Sequence, residues 1–151
     1  MTTGDKQMRD YAAGLPMPEF DTTVFNAPRA INDATVAIVT TAAIHRVNDV
    51  AFTYDETSYR TLDRHERAFK LGHWSPNFDR TGFTADLNVV YPIDRLEELA
   101  ADGIIGEVAA RHLSFAGNQP DDVSTIRLDS GPAAAEQLKS GGVDVVILTP
   151  V

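Results

Sequence analysis

The amino-acid sequence predicts an α/β domain built on a parallel sheet, and three stretches carry that reading. Residues 34–41, Ala-Thr-Val-Ala-Ile-Val-Thr-Thr, are a β-branched run of strand length. Residues 143–148, Val-Asp-Val-Val-Ile-Leu, are almost unbroken in apolar character and read as a strand buried on both faces, as parallel strands are. Between them the chain runs through a long excursion, a helix, a strand and a second helix, an order for which right-handed parallel crossovers are the natural topology. The expectation is therefore a three-layer, Rossmann-like or flavodoxin-like parallel sheet with a long loop insertion after its first strand. Three core strands make that sheet thin.

At 151 residues the chain is the size of one domain. Residues 1–33 read as an N-terminal arm, because Pro16, Pro18 and Pro28 forbid a long helix after the Tyr11-Ala12-Ala13 turn while Tyr11, Leu15, Phe20, Val24 and Phe25 are apolar anchors. Residues 34–151 form the α/β domain. The net charge of -9 argues against a nucleic-acid or anionic-membrane partner, since phosphate binding needs a basic footprint. Arg60, Arg64, Arg67 and Lys70 are the nearest approach to one, and Asp63 and Glu66 interrupt them. With no cysteine, the chain has no thiol nucleophile or thiolate ligand of its own. No apolar run approaches the length of a membrane span and no apolar leader opens the chain, so a cytoplasmic protein is expected.

After the first strand, residues 42–87 show no sustained helical period. Phe52, Tyr54 and Tyr59 flank Asp55-Glu56-Thr57-Ser58, which reads as a hairpin with its polar residues at the turn. A loop this long inside a small domain is usually functional. Val89-Val90-Tyr91-Pro92 then leads into a helix whose buried stripe is Ile93, Leu96, Leu99 and Ala100, with Gly103 as its stop. A second strand lies within residues 111–116. The helix that follows should break or kink at Gly131-Pro132 before it delivers the last strand.

His73 and Asp79 are the leading pair for chemistry, because a histidine beside a carboxylate is the simplest acid/base arrangement open to a chain without cysteine. His45, just past the first strand, is the next catalytic candidate. Thr40, Thr41 and Thr149 stand at carboxyl ends of strands, where ligands of open α/β sheets bind; local turn hydrogen bonds are an equal reading. Ser114 and Asn118 flank the end of the middle strand, with a helix cap as the other reading of Asn118. Ser58 and Arg60 join the substrate-binding candidates, Arg60 as a clamp for a carboxylate or, equally, as a partner of a nearby acid. No cofactor motif is present. A metal held by His45, His65, His73 and Asp79 is left open, without any of the usual ligand spacings.

Several blocks in a fixed order resemble the glycine/sarcosine/betaine/D-proline reductase selenoprotein B family. They are Val36-Ala37-Ile38-Val39-Thr40-Thr41, Asp55-Glu56-Thr57-Ser58-Tyr59-Arg60, Gly72-His73, Asn88-Val89-Val90-Tyr91-Pro92-Ile93-Asp94, Ser114-Phe115-Ala116-Gly117 and Gly142-Val143-Asp144-Val145-Val146-Ile147-Leu148-Thr149. The resemblance implies an α/β fold and reductive cleavage of a carbon–heteroatom bond, or related thiol or selenol chemistry, on a small amine. It also implies a reactive cysteine or selenocysteine directly after the strand that is here residues 143–148. This chain has none, so the expectation is a subunit whose small-molecule substrate meets a Cys- or Sec-containing companion chain in a hetero-oligomer. The alternative is a non-catalytic binding or regulatory subunit that lost the redox motif.

Overall fold

A computed structural model describes residues 3–15, 26–75, 78, 80–120 and 122–151. In chain order its first elements are α1 (Thr3–Ala13), β1 (Thr35–Thr40), β2 (Ile44–Arg46), β3 (Tyr59–Asp63) and β4 (Phe69–Leu71). They are followed by α2 (Arg80–Ala85), α3 (Ile93–Ala101), β5 (Glu107–Val108), β6 (Arg111–Phe115), α4 (Gly131–Ser140) and β7 (Val145–Thr149).

The β-branched run of β1 forms the middle of the sheet. β7 pairs with it in parallel from Val36↔Val145 to Thr40↔Thr149, which occupies one edge completely. The opposite edge is shared: β5 pairs at Thr35 and Val36, and β6 at Val39 and Thr40, both parallel. β5 and β6 are thus two pieces of one strand interrupted at Ala109 and Ala110. At the interruption the Ala110 carbonyl accepts from the Arg64 amide at 3.1 Å, and the ladder bond to Ile38 is made by a side chain instead. His112 Nδ1 accepts the Ile38 N–H at 2.9 Å. β3 then runs antiparallel along the outer edge of β6, so the five-stranded sheet is mixed. A separate antiparallel pair, β2 with β4, lies within the long excursion.

The two crossover helices lie on opposite faces. Ile93 and Leu96 of α3 pack with Val36, Ile38, Leu62 and Val108, and with the half-buried Val145 and Ile147. Ala134 and Leu138 of α4 pack with Ala37, Ala109 and Leu113. Opposite faces are what right-handed connections require when one steps from β1 toward β6 and the next steps back past β1 to β7.

α3 is anchored from both ends. Asn88 Oδ1 accepts the Asp94 amide at 3.0 Å, and Gly103, at φ +69°, turns the chain out of the helix. Arg67 ties its outer side to the sheet through Asp94 at 2.9 Å and Glu97 at 3.0 Å. Two of the clustered basic residues, Arg64 and Arg67, are therefore ion-paired with α3. The kink expected at Gly131-Pro132 takes the form of a π-helical turn, Ile126–Ser130, running directly into α4.

Two expectations need correction. Residues 51–58 do not pair with β3 as a hairpin; β3 finds its partner in β6, a long-range pairing that no local pattern encodes. β7 is buried on one face only: register sets Val146 beside Ala37 and Leu148 beside Val39 on the α4 side, yet they are 38% and 70% exposed. The N-terminal segment begins with a helix, α1, and the rest of its apolar anchors (Phe20, Val24, Phe25) lie outside the described residues. No helix among the described residues is long and apolar enough to cross a membrane.

Candidate functional site

The carboxyl ends of β6, β1 and β7 stand side by side, with chain crossing to opposite faces on either side of β1. In open α/β sheets this reversal is where a crevice forms. A cleft of about 610 Å³ opens there, lined by His73, Ser75, Phe78, Val89, Asn118 and Val151, among others.

His73 follows β4 on an extended segment that passes under the sheet's end. Its Nδ1 accepts the Ser75 N–H at 3.2 Å, which assigns the neutral ring's proton to Nε2. The ring stacks on Phe78 at 4.6 Å, and Arg80 donates to the His73 carbonyl at 2.8 Å, so orientation is set from three sides. Burial lowers the imidazole's pKa and the Arg80 charge adds to that, while the Val151 carbonyl works the other way. Nε2 itself is buried on the side of the Val151 carbonyl and makes no well-formed hydrogen bond among the described residues.

Gly117 explains how that nitrogen can approach the strand ends. A Cβ there would stand 2.7 Å from His73 Nε2 and 2.8 Å from the carbonyl oxygens of both Thr41 and Val151. No side chain larger than hydrogen fits at this convergence. Beside it, both amide atoms of Asn118 are buried and unpartnered among the described residues. His73 and Asn118 thus stand in the wall of the cleft beside the apolar Phe78, Val89 and Val90, with their unpaired polar atoms buried behind that wall.

A second, more polar cleft of about 480 Å³ shares His73 and is also lined by His45, Asp49, Lys70, Trp74 and Arg80. His45 is buried, with Nδ1 3.0 Å from the Arg46 carbonyl and its ring edge-on to Phe52. The structure therefore brings His45 and His73 to one cleft, whereas Asp79 lies outside the described residues.

The remaining candidates fall into two groups. Arg60, Ser114, Thr40 and Thr149 form a single row across four adjacent strands, paired Arg60↔Ser114, Thr40↔Ser114 and Thr40↔Thr149. Within it Thr40 Oγ1 accepts the Ala42 amide, Thr149 Oγ1 donates to the Val90 carbonyl, and the buried Ser114 hydroxyl has no partner among the described residues. Thr41, one residue on, exchanges two bonds with Val151: its Oγ1 accepts the Val151 amide at 2.8 Å and donates to the Val151 carbonyl at 3.4 Å. Arg60 and Ser58 belong to a network around Glu56. Arg60 Nη1 meets Glu56 Oε1 at 2.7 Å, Ser58 donates to the same oxygen, and the guanidinium lies 4.3 Å over the Phe52 ring. Burial would raise the Glu56 carboxyl, but bonds from Arg60, Ser58 and the Thr53 amide bring it down to about 2. Sequence reasoning overlooked Ser75 and the cradle at Gly117; the only sign of either was a glycine directly after a strand. Among the described residues no three His, Asp or Glu side chains cluster as a metal site.

The sequence profile of the glycine/sarcosine/betaine reductase selenoprotein B family matches residues 5–151. The chain belongs to this family. Among curated relatives it is 32% identical over 124 residues to D-proline reductase subunit gamma of Acetoanaerobium sticklandii, covering 80% of this chain and 50% of that protein. It is 30% identical over 151 residues to betaine reductase complex component B subunit beta of Peptoclostridium acidaminophilum, covering 93% of this chain and 33% of that protein. Glycine reductase complex component B subunit gamma of Carboxydothermus hydrogenoformans is likewise 30% identical, over 149 residues and with the same two coverages. This selenoprotein B family chain thus spans a third to a half of the relatives it matches. No solved structure matches it significantly.

Proposed function

We propose that this chain is a substrate-holding subunit of a reductase complex of the selenoprotein B family, and that a companion chain supplies the reactive cysteine or selenocysteine. The relatives are named as subunits or components of D-proline, betaine and glycine reductase. The observation that carries the reading is a cleft at the carboxyl ends of the strands whose wall holds His73 and Asn118, two residues with buried polar atoms unpartnered among the described residues, in a chain without cysteine. Buried polar groups left unpaired cost stability, and a ligand that pairs them recovers it.

In this reading a small amine with a carboxylate enters the cleft, its oxygen accepting from His73 Nε2–H and the Asn118 amide. The lowered pKa favours the neutral form of His73, whose Nε2–H is the ring's donor. His45 lies in the adjoining cleft as the second titratable group. The finer architectural reading, a Rossmann-like or flavodoxin-like core, is supported by helices on both faces and a crevice at the strand reversal.

The test is a thermal-shift and calorimetric panel of glycine, sarcosine, betaine and D-proline on the full chain, followed by turnover in the assembled complex with a dithiol reductant. Binding by the chain alone, turnover only with the companion, and a hundredfold or greater loss in His73→Gln are expected. Turnover by the purified chain alone with thiol reagents would sink the split-site reading. Binding with no Cys- or Sec-bearing companion in the native assembly would leave the binding subunit instead.

A further inference from the structure

The chain carries 22 acidic residues against 13 basic ones, so a cation in this fold has carboxylates to pair with. In the excursion after β1, Arg46 pairs with Asp49, Arg60 with Glu56, and Arg64 and Arg67 with Glu97. Lys70 and Arg80 differ. Neither forms an ion pair among the described residues: the Lys70 ammonium donates to the Val47 carbonyl at 3.2 Å, and Arg80 Nη2 donates to the His73 carbonyl at 2.8 Å. Both side chains are exposed, and both line the polar cleft of about 480 Å³ beside the His73 cleft.

Local structure brings these two charges to one place. The antiparallel pairing of β2 with β4 sets Lys70 directly opposite His45, and residues paired in this way share a face of the ladder. The Arg80 bond to the His73 carbonyl draws the start of α2 back to the segment that follows β4. Gly72, between them, lines the cleft with backbone alone; a Cβ there would stand 2.9 Å from the Ala43 carbonyl oxygen. One wall residue, Asp49, is acidic, but its charge is already met. It accepts from the Arg46 amide at 3.3 Å and from Arg46 Nε at 3.2 Å, and lies 3.1 Å from Nη2. Lys70 and Arg80 therefore leave a local surplus of positive charge in a chain of net charge -9.

We propose that this polar cleft is a binding site for a small oxyanion, a carboxylate or a phosphate, held by Lys70 and Arg80 beside His45. A guanidinium presents its N–H groups as a planar fork matched to two oxygens of such an anion, and Arg80 spends only part of that fork on the His73 carbonyl. The ammonium of Lys70 likewise keeps donors beyond the one given to Val47. Trp74 supplies a wall and no donor, because its indole N–H is committed to the Phe52 carbonyl at 3.1 Å. The site is separate from the cleft of Phe78 and Asn118, with His73 as the residue common to both walls. It does not depend on a companion chain.

The test titrates acetate and inorganic phosphate separately into the full chain at pH 7, with sodium chloride holding the ionic strength constant, and follows the imidazole C–H signals by NMR. Signals of His45 and His73 should shift and saturate, while those of His65 and His112, which line neither cleft, stay in place. Lys70→Gln and Arg80→Gln should each weaken the binding about tenfold. Arg95→Gln removes the same charge from an ion pair on α3 and should leave the binding unchanged. Tighter binding of acetate would assign a carboxylate ligand and tighter binding of phosphate a phosphate; either upholds the site. Shifts no larger than those in chloride alone, or shifts that survive both substitutions, would overturn it. So would binding that appears only in Asp79→Asn, because Asp79, which lies outside the described residues, would then be the cleft's own anion. The amine panel on His73→Gln reads the other cleft and stands or falls separately.

Discussion

His112 Nδ1 accepts the Ile38 backbone N–H at 2.9 Å, replacing a rung of the sheet ladder with a side chain. Only a neutral imidazole can accept there, and burial, with Arg64 and Arg67 nearby, brings the ring's pKa down from 6.5 to about 4. The unfolded chain therefore binds this proton first as pH falls. Stability should be full above pH 6.5 and decline between 6.5 and about 4, with a ceiling of about 3 kcal/mol for this one group. His73, also lowered, acts with the same sign. Urea unfolding at pH 7.5 and pH 5.0 checks this; His112→Phe should flatten the difference while lowering stability at both pH values by about 1–3 kcal/mol, because Ile38 loses its acceptor.

Tyr91 gives a prediction of opposite sign. Its hydroxyl is buried without a partner among the described residues, and burial pushes the phenol's pKa up. Removing it should relieve an unpaired polar group, so Tyr91→Phe is expected to be neutral or stabilising by up to about 1 kcal/mol, read from the urea midpoint. A loss of more than that would mean the hydroxyl is bonded in solution, for instance to a buried water.

Gly117→Ala places a methyl into the convergence of His73 Nε2 with the Thr41 and Val151 carbonyls. Displacement of the ring or of the strand end must follow, at a cost of about 1–3 kcal/mol. Small-molecule binding in the cleft should weaken at least tenfold, with a histidine resonance shift in the NMR spectrum reporting the displaced ring.

Arg67 joins two carboxylates of α3 at once, so its interactions are coupled. A double-mutant cycle of Arg67→Ala with Glu97→Gln should yield a coupling energy of about 0.5–1 kcal/mol, reduced in 0.5 M salt because all three side chains remain partly exposed.

Much of the fold was legible because its signals are local. The β-branched run at β1, the stripe Ile93, Leu96, Leu99 ending at Gly103, and the apolar run of β7 all write their element in consecutive residues. β3 and β5 were not legible: Tyr59–Asp63 is a strand because β6 lies beside it, and Glu107–Val108 is too short to show a period. The excess exposure of Val146 and Leu148 was hidden for a related reason, since composition records that residues are apolar and not what covers them. In the site, strand-end positions placed Thr40, Ser114 and Thr149 near one another, but their exact row depends on register. The cradle at Gly117 depends on three segments whose meeting no spacing announces.

The place of β1 in the chain also bears on how the protein is made. Its strand partners begin only at Glu107 and end with β7, so the central strand is synthesised first among them and stays unpaired until most of the chain has followed. Local contacts can form α3 and the β2–β4 pair early, but the sheet closes last and all at once. A topology with so much sequence between pairing strands folds slowly, and for that interval Val36, Ile38 and Val39 stand open on the nascent chain as an aggregation hazard.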